Sequence, residues 1–141
     1  MTNAGEQLLN YLLKPPTFLL VEDNESDQFM FTSCLNAFEH NLVLADSGRK
    51  AIEIVKQQTF DAIFLDLKLG DISGVNVLKV AEVIQPSTPI IVITGYPDCK
   101  EAERIMQSGT LHVIEKPATL PILRSLFKDF KIRVTEIQHK L

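Results

Sequence analysis

Four short apolar runs each end on a polar residue. Phe-Leu-Leu-Val (18–21) runs into Glu22 and Asp23, and Ala-Ile-Phe-Leu (62–65) runs into Asp66. Ile-Ile-Val-Ile (90–93) runs into Thr94, and Leu-His-Val-Ile (111–114) runs into Glu115, Lys116 and Pro117. Continuous apolar runs of this length, bounded by turn residues, read as strands buried on both faces of a parallel sheet. Strand signals fall near residues 17–22, 41–45, 61–66, 89–94 and 111–115. Helical patterns lie at about 25–38, 47–58, 73–84, 98–108 and 119–140. Gly48, Gly70, Gly74, Gly95 and Gly109 punctuate the loops. Strict β-α alternation predicts an α/β fold: a doubly wound, five-stranded parallel sheet with helices on both faces and right-handed crossovers.

Two segments lie outside the alternation. Residues 4–13 carry Leu8, Leu9, Tyr11, Leu12 and Leu13 and read as a short helix stopped by Pro15 and Pro16. The domain division is therefore a helical extension over 1–16 and one domain over 17–141 with a long C-terminal helix. In that last helix Leu123, Phe127, Phe130, Val134, Ile137 and Leu141 follow heptad-like spacing. Arg124, Lys128, Lys131, Arg133 and Lys140 face Asp129 and Glu136, which predicts a locally basic surface. Ile137 and Leu141 are placed to meet the 8–13 segment of the same chain or of a second copy, which predicts a homodimer with one symmetric patch.

Composition narrows the function classes. The 141 residues fit one domain with a proper core. A net charge of −4 argues against a nucleic-acid surface. No segment approaches the ~20 apolar residues of a membrane span, and no basic start precedes a long apolar stretch, so a cytoplasmic protein is expected. Cys34 and Cys99 lack metal-ligand spacing and read as reduced, half-buried thiols in helical patterns. His40, His112 and His139 are scattered and predict no histidine metal site.

In open parallel sheets, ligands bind at the carboxyl ends of the strands. Glu22, Asp23, Asp66, Thr94 and Lys116 thus converge on one rim. Two like charges about 4 Å apart repel by roughly 4 kcal/mol at an effective dielectric near 20, so the acids need a cation. Mg2+ suits them, because it takes oxygen ligands and keeps waters for a phosphate. The backbone carbonyl of Lys68, two residues past Asp66, is a further candidate ligand. Asp66 ends the central strand and is the candidate nucleophile for an acyl phosphate. Lys116 supplies a mobile positive charge, and Thr94 a hydrogen bond to phosphoryl oxygens. An X-Pro bond can be cis, and a cis Lys116–Pro117 bond would turn the lysine towards the acids.

At these residues the chain resembles a two-component response-regulator receiver domain, here a stand-alone one. The matching stretches are F-L-L-V-E-D-N (18–24), F-L-D-L-K-L-G-D-I-S-G (64–74), I-I-V-I-T-G (90–95) and V-I-E-K-P (113–117). The intervals of 43 residues from Asp23 to Asp66, 28 to Thr94 and 22 to Lys116 suit the family. The resemblance covers about residues 17–130. It implies a flavodoxin-like sheet of order 2-1-3-4-5, with Glu22 and Asp23 as the acidic pair holding Mg2+ and Asp66 as the phosphoacceptor. Thr94 matches the switch hydroxyl, Lys116 the phosphate-sensing lysine, and Gly74 the glycine of the loop after the acceptor. The implied donor is a histidine kinase or a phosphotransfer protein.

Three positions depart from the family pattern. Gly70 replaces a usual proline, predicting a looser loop. Lys68 adds a positive side chain beside the pocket. Val113 stands where many receivers have Tyr or Phe, leaving Tyr96 as the aromatic residue near Thr94. A phosphorylated Asp66 is expected to draw Thr94 inward and alter the face made by residues 95–104, strand 111–115 and the last helix. No DNA-binding module is expected after the last helix, so the expected output is a contact with a downstream protein. Three other readings compete. An aspartyl-nucleophile phosphatase usually carries a second acid where Lys68 stands. A flavin carrier needs a phosphate loop that E-D-N-E-S-D would repel. A receiver-shaped scaffold that signals without phosphorylation has no need of the intact acidic triad.

Overall fold

The computed structural model describes residues 3–107 and 112–137. Side chains alternate along a strand, so a run that is apolar at every position supplies a core to both faces. That holds for β1 (Thr17–Val21), β3 (Ala62–Leu65) and β4 (Ile90–Thr94). Leu19, Val21, Ile63, Leu65 and Val92 point to one side, and Phe18, Leu20, Phe64, Ile91 and Ile93 to the other. With β2 (Asn41–Ala45) and β5 (His112–Glu115) they make one parallel sheet of order β2-β1-β3-β4-β5. The edge strands β2 and β5 are only partly buried, as edges should be.

The helices divide between the faces. α3 (Gly48–Gln57), α4 (Gly74–Ile84) and α5 (Lys100–Gln107) cover the first core with Val55, Val77, Leu78 and Ile105. α2 (Glu25–Leu35) and α6 (Leu120–Asp129) cover the second with Phe31, Leu35, Leu123 and Phe127. Phe127 stacks on Phe18 at 5.4 Å between ring centroids and meets Phe38 and Phe64 edge-on. Asn24, Ser47 and Ser73 cap α2, α3 and α4 through their side chains. The strand order and the presence of helices on both faces match the sequence reading.

The N-terminal helix, α1 (Ala4–Leu13), ends before Pro15 as its sequence predicts. No residue of it is buried, and Leu8, Leu9, Tyr11 and Leu13 are all more than half exposed.

The C-terminal helix corrects the sequence reading. It stops at Asp129, not at residue 140. Lys131 adopts a left-handed φ of 56°. Its N–H donates to the Lys128 carbonyl, and the Ile132 N–H donates to the Phe127 carbonyl at 2.8 Å. Those two bonds form a Schellman turn, with lysine at the position glycine usually holds. The chain then runs extended, and Glu136 pairs antiparallel with Phe38. Phe130, Ile132 and Val134 reach the core by alternation rather than by a heptad stripe. The basic face also dissolves: Arg124 donates to the Glu136 carboxylate through Nε and Nη2, and Lys131 and Arg133 lie beyond the helix. Gly109, Leu111, His139, Lys140 and Leu141 lie outside the described residues. Cys34 sits in α2 as expected. Cys99 precedes α5 rather than lying in it, and its sulfur accepts the Ala102 N–H.

Candidate functional site

Parallel pairing sets the rim. Val21 of β1 lies opposite Leu65 of β3, so the next residues, Glu22 and Asp66, leave the sheet side by side. Thr94 ends β4 opposite Glu115 of β5, and Lys116 follows. Ladder bonds continue one step beyond the strands, from the Asp66 N–H to the Val21 carbonyl and from the Lys116 N–H to the Thr94 carbonyl. The backbone, not the side chains, therefore fixes where these groups emerge.

The acids converge as expected. Glu22, Asp23 and Asp66 each offer a carboxylate oxygen, and these oxygens lie within 4.8 Å of one another. Glu22 and Asp66 are buried, whereas Asp23 is exposed. Burial, with the Asp66 charge added, pushes the Glu22 carboxyl up to about 7 against the pull of Lys116. Three carboxylates, two buried and one exposed, form a hard-oxygen donor set that fits Mg2+.

Lys116 lies across the acids. Its Nζ donates to Glu22 Oε2 at 2.8 Å, Asp27 Oδ2 at 2.8 Å and Asp66 Oδ2 at 3.2 Å. Burial disfavours the ammonium, but the hydrogen bonds to Asp27 and Glu22 and the Asp66 charge hold its pKa above the usual lysine value. The Lys116–Pro117 bond is cis. Asp27 is absent from the sequence-derived site. Its signal was an acid in the first turn of the helix that follows the acidic pair, a place usually filled for helix capping.

Thr94 is fully buried, and its hydroxyl oxygen accepts the Tyr96 N–H at 3.0 Å. It stands on the rim but is tied to its own loop. Lys68 and Tyr96 interact: the Lys68 ammonium lies 4.1 Å from the centroid of the Tyr96 ring. The charge added by Lys68 is thus directed to Tyr96, while its backbone N–H donates to Asp66 Oδ1 at 3.3 Å. Val113 packs half-buried against the α3/α4/α5 core.

The loop between β3 and α4 is held in its second half and where α4 begins. The Asp71 carboxylate accepts the Gly48 and Arg49 N–H groups at 2.9 Å, and these bonds lower its pKa to about 2. At Gly74 a Cβ would sit 2.5 Å from Leu67 Cα and 2.6 Å from the Asp66 carbonyl oxygen, so only glycine lets the loop close behind the acceptor. At Gly70 a Cβ would lie 3.3 Å from Asp23 Oδ2, so the missing side chain leaves room for that carboxylate.

A family model for the response regulator receiver domain matches residues 18–128. The transcriptional regulatory protein ZraR of Escherichia coli (strain K12) is 30% identical over 99 residues, covering 70% of this chain and 22% of that protein. The chain thus spans about a fifth of the length of that curated relative. A Burkholderia pseudomallei response regulator, solved with a phosphorylated aspartic acid, calcium ion and citrate, is 26% identical, with a TM-score of 0.71 over 82% of this chain and 69% of that one. The receiver domain of a Pseudomonas aeruginosa PAO1 sensor histidine kinase, solved with magnesium in its active site cleft, shares the fold at a TM-score of 0.74. It is 24% identical, covering 83% of this chain and 98% of that one.

Proposed function

The chain belongs to the response regulator receiver domain family of two-component signalling, and from that we propose that it is a phosphorylation-activated module whose acceptor is Asp66. One observation carries the reading: the Lys116 ammonium from the β5 end touches both Asp66 and Glu22, beside a three-carboxylate cluster. An Asp66 carboxylate oxygen attacks the phosphorus of a phosphohistidine on a kinase or phosphotransfer protein. The P–N bond breaks, its electron pair returns to the imidazole, and an acyl phosphate forms. Glu22, Asp23, Asp66 and the Lys68 carbonyl would hold Mg2+, which when bound neutralises charge on the transferring phosphoryl oxygens. Lys116 supplies the opposing positive charge, and the Lys68 N–H supplies a donor beside the acceptor. The chemistry is this self-catalysed transfer and the later hydrolysis of the acyl phosphate, in which water takes the phosphoryl group as inorganic phosphate and the Asp66 carboxylate is restored.

The phosphoryl group brings about −2 charge and strong acceptors. Hydrogen bonds to charged groups contribute roughly 1.5–3 kcal/mol each, and moving a two-state equilibrium from 1:99 to 99:1 takes about 5.5 kcal/mol. Two or three new bonds, from Thr94 and Lys116 among others, suffice. Thr94 can donate its hydroxyl proton to a phosphoryl oxygen while still accepting from Tyr96. Its inward motion then draws Tyr96 along, and with it the loop before α5. The face of this loop, α5 and β5 is the surface offered to a downstream protein. Beryllofluoride with Mg2+ tests this by amide NMR. Shifts reaching Tyr96, α5 and β5 in wild type, and lost in Asp66→Asn, are expected. Shifts confined to the acidic pocket would overturn the switching route.

A further inference from the structure

We propose that Asp27 is a positioning residue for Lys116: a permanent counter-ion that keeps the ammonium at the rim when Glu22 and Asp66 are engaged elsewhere. The inference rests on the phosphoacceptor reading and extends it. An ammonium has three N–H donors, and here each has its own carboxylate. Two of those carboxylates, Glu22 and Asp66, belong to the cluster suited to a divalent cation, and Asp27 does not. With Mg2+ held by Glu22 and Asp66 and no phosphoryl group yet in place, Lys116 would lose two of its three acceptors and face a repelling cation. Asp27 is the acceptor that remains.

Local chemistry explains why Asp27 is free for this task. It is the third residue after the N-cap Asn24, and its own N–H donates to Asn24 Oδ1 at 3.0 Å. An acid at that place usually accepts the N–H of the capping residue. Here Glu22 Oε1 accepts the Asn24 N–H at 3.2 Å. The Asp27 carboxylate is released to reach from α2 to Lys116. Together they border a cavity of about 240 Å3 whose other walls are mostly apolar, from Leu20, Met30, Phe31, Ile93 and Ala118. A lysine only 19% exposed, beside such walls, has little water to replace a lost carboxylate.

The test uses the full chain, Asp27→Asn and Glu25→Gln. The second removes the same charge from the same helical turn, and Glu25 has no bond to Lys116. The Lys116 side-chain ammonium signal is followed by 15N NMR, identified by its loss in Lys116→Ala, with and without Mg2+. Calorimetry gives the Mg2+ affinity. In wild type the signal should survive Mg2+. In Asp27→Asn it should exchange with water about tenfold faster once Mg2+ is added, the scale expected for one charged hydrogen bond. Mg2+ affinity should fall by about as much in Asp27→Asn, and no more than about twofold in Glu25→Gln. In a Lys116→Ala background, Asp27→Asn should act no more strongly than Glu25→Gln. An ammonium signal that persists unchanged in Mg2+-loaded Asp27→Asn, or equal effects of the two acid variants, would overturn the proposal. If wild type fails to bind Mg2+, the phosphoacceptor reading and this proposal fall together, and that result is visible before any Asp27 variant is examined.

Discussion

Lys116 is outnumbered at the rim, with one ammonium against the carboxylates of Glu22, Asp27 and Asp66. Burial first, and then the Asp66 charge, pushes Glu22 up to about 7 from the usual 4.5 against the pull of Lys116. A raised carboxyl favours the folded chain while it is protonated. That contribution is complete below about 4.5 and is lost as pH rises through about 7. Metal binding has the opposite slope, because a cation must displace the proton. Mg2+ affinity is therefore expected to rise about tenfold between pH 6 and pH 8, as one group near 7 deprotonates. Calorimetry at the two pH values checks this, and a flat profile contradicts it. Glu22, Asp23, Asp66, Thr94 and Lys116 were legible in the sequence because each ends an apolar run, and strand pairing fixes where run ends lie. Asp27 was not, because its role depends on which neighbour takes the Asn24 N–H, and that choice is made by side-chain geometry.

At the scale of elements, the loop after β3 shows how backbone approach dictates residue type. Gly74 has no room for a Cβ against Leu67 and Asp66. Gly74→Ala should lower stability by about 1–3 kcal/mol, the usual cost of forcing atoms into a packed place. Chemical denaturation measures it, and an unchanged midpoint contradicts the packing argument. The last helix shows where pattern misleads. Leu123 and Phe127 are core residues at helical spacing, and Phe130 and Val134 extend the same arithmetic. Yet Phe130, Ile132 and Val134 are also spaced by two, and the chain takes the extended option. No Gly, Asn or Pro announces the stop. Lys131 accepts a left-handed backbone that costs a side-chain-bearing residue about 1–2 kcal/mol, and burial of Ile132 beside Phe127 offsets it.

For the whole molecule, α1 is the unfinished part. Leu8, Leu9 and Leu13 would each bury apolar surface in a second copy, so we propose a homodimer through this helix. Light scattering of the full chain against a triple Leu8→Lys, Leu9→Lys, Leu13→Lys variant should show a dimer and a monomer. Equal masses would remove α1 from assembly. Among the described residues no helix is long and apolar enough to cross a membrane, in line with the sequence. A parallel sheet delivers acids from β1 and β3 and an ammonium from β5 to one carboxylate, and we propose that this carboxylate, Asp66, captures phosphorus. Incubation with acetyl phosphate and Mg2+, followed by intact-mass measurement, tests it most directly. Wild type should gain the mass of one phosphoryl group and Asp66→Asn none; equal labelling of both would contradict the account.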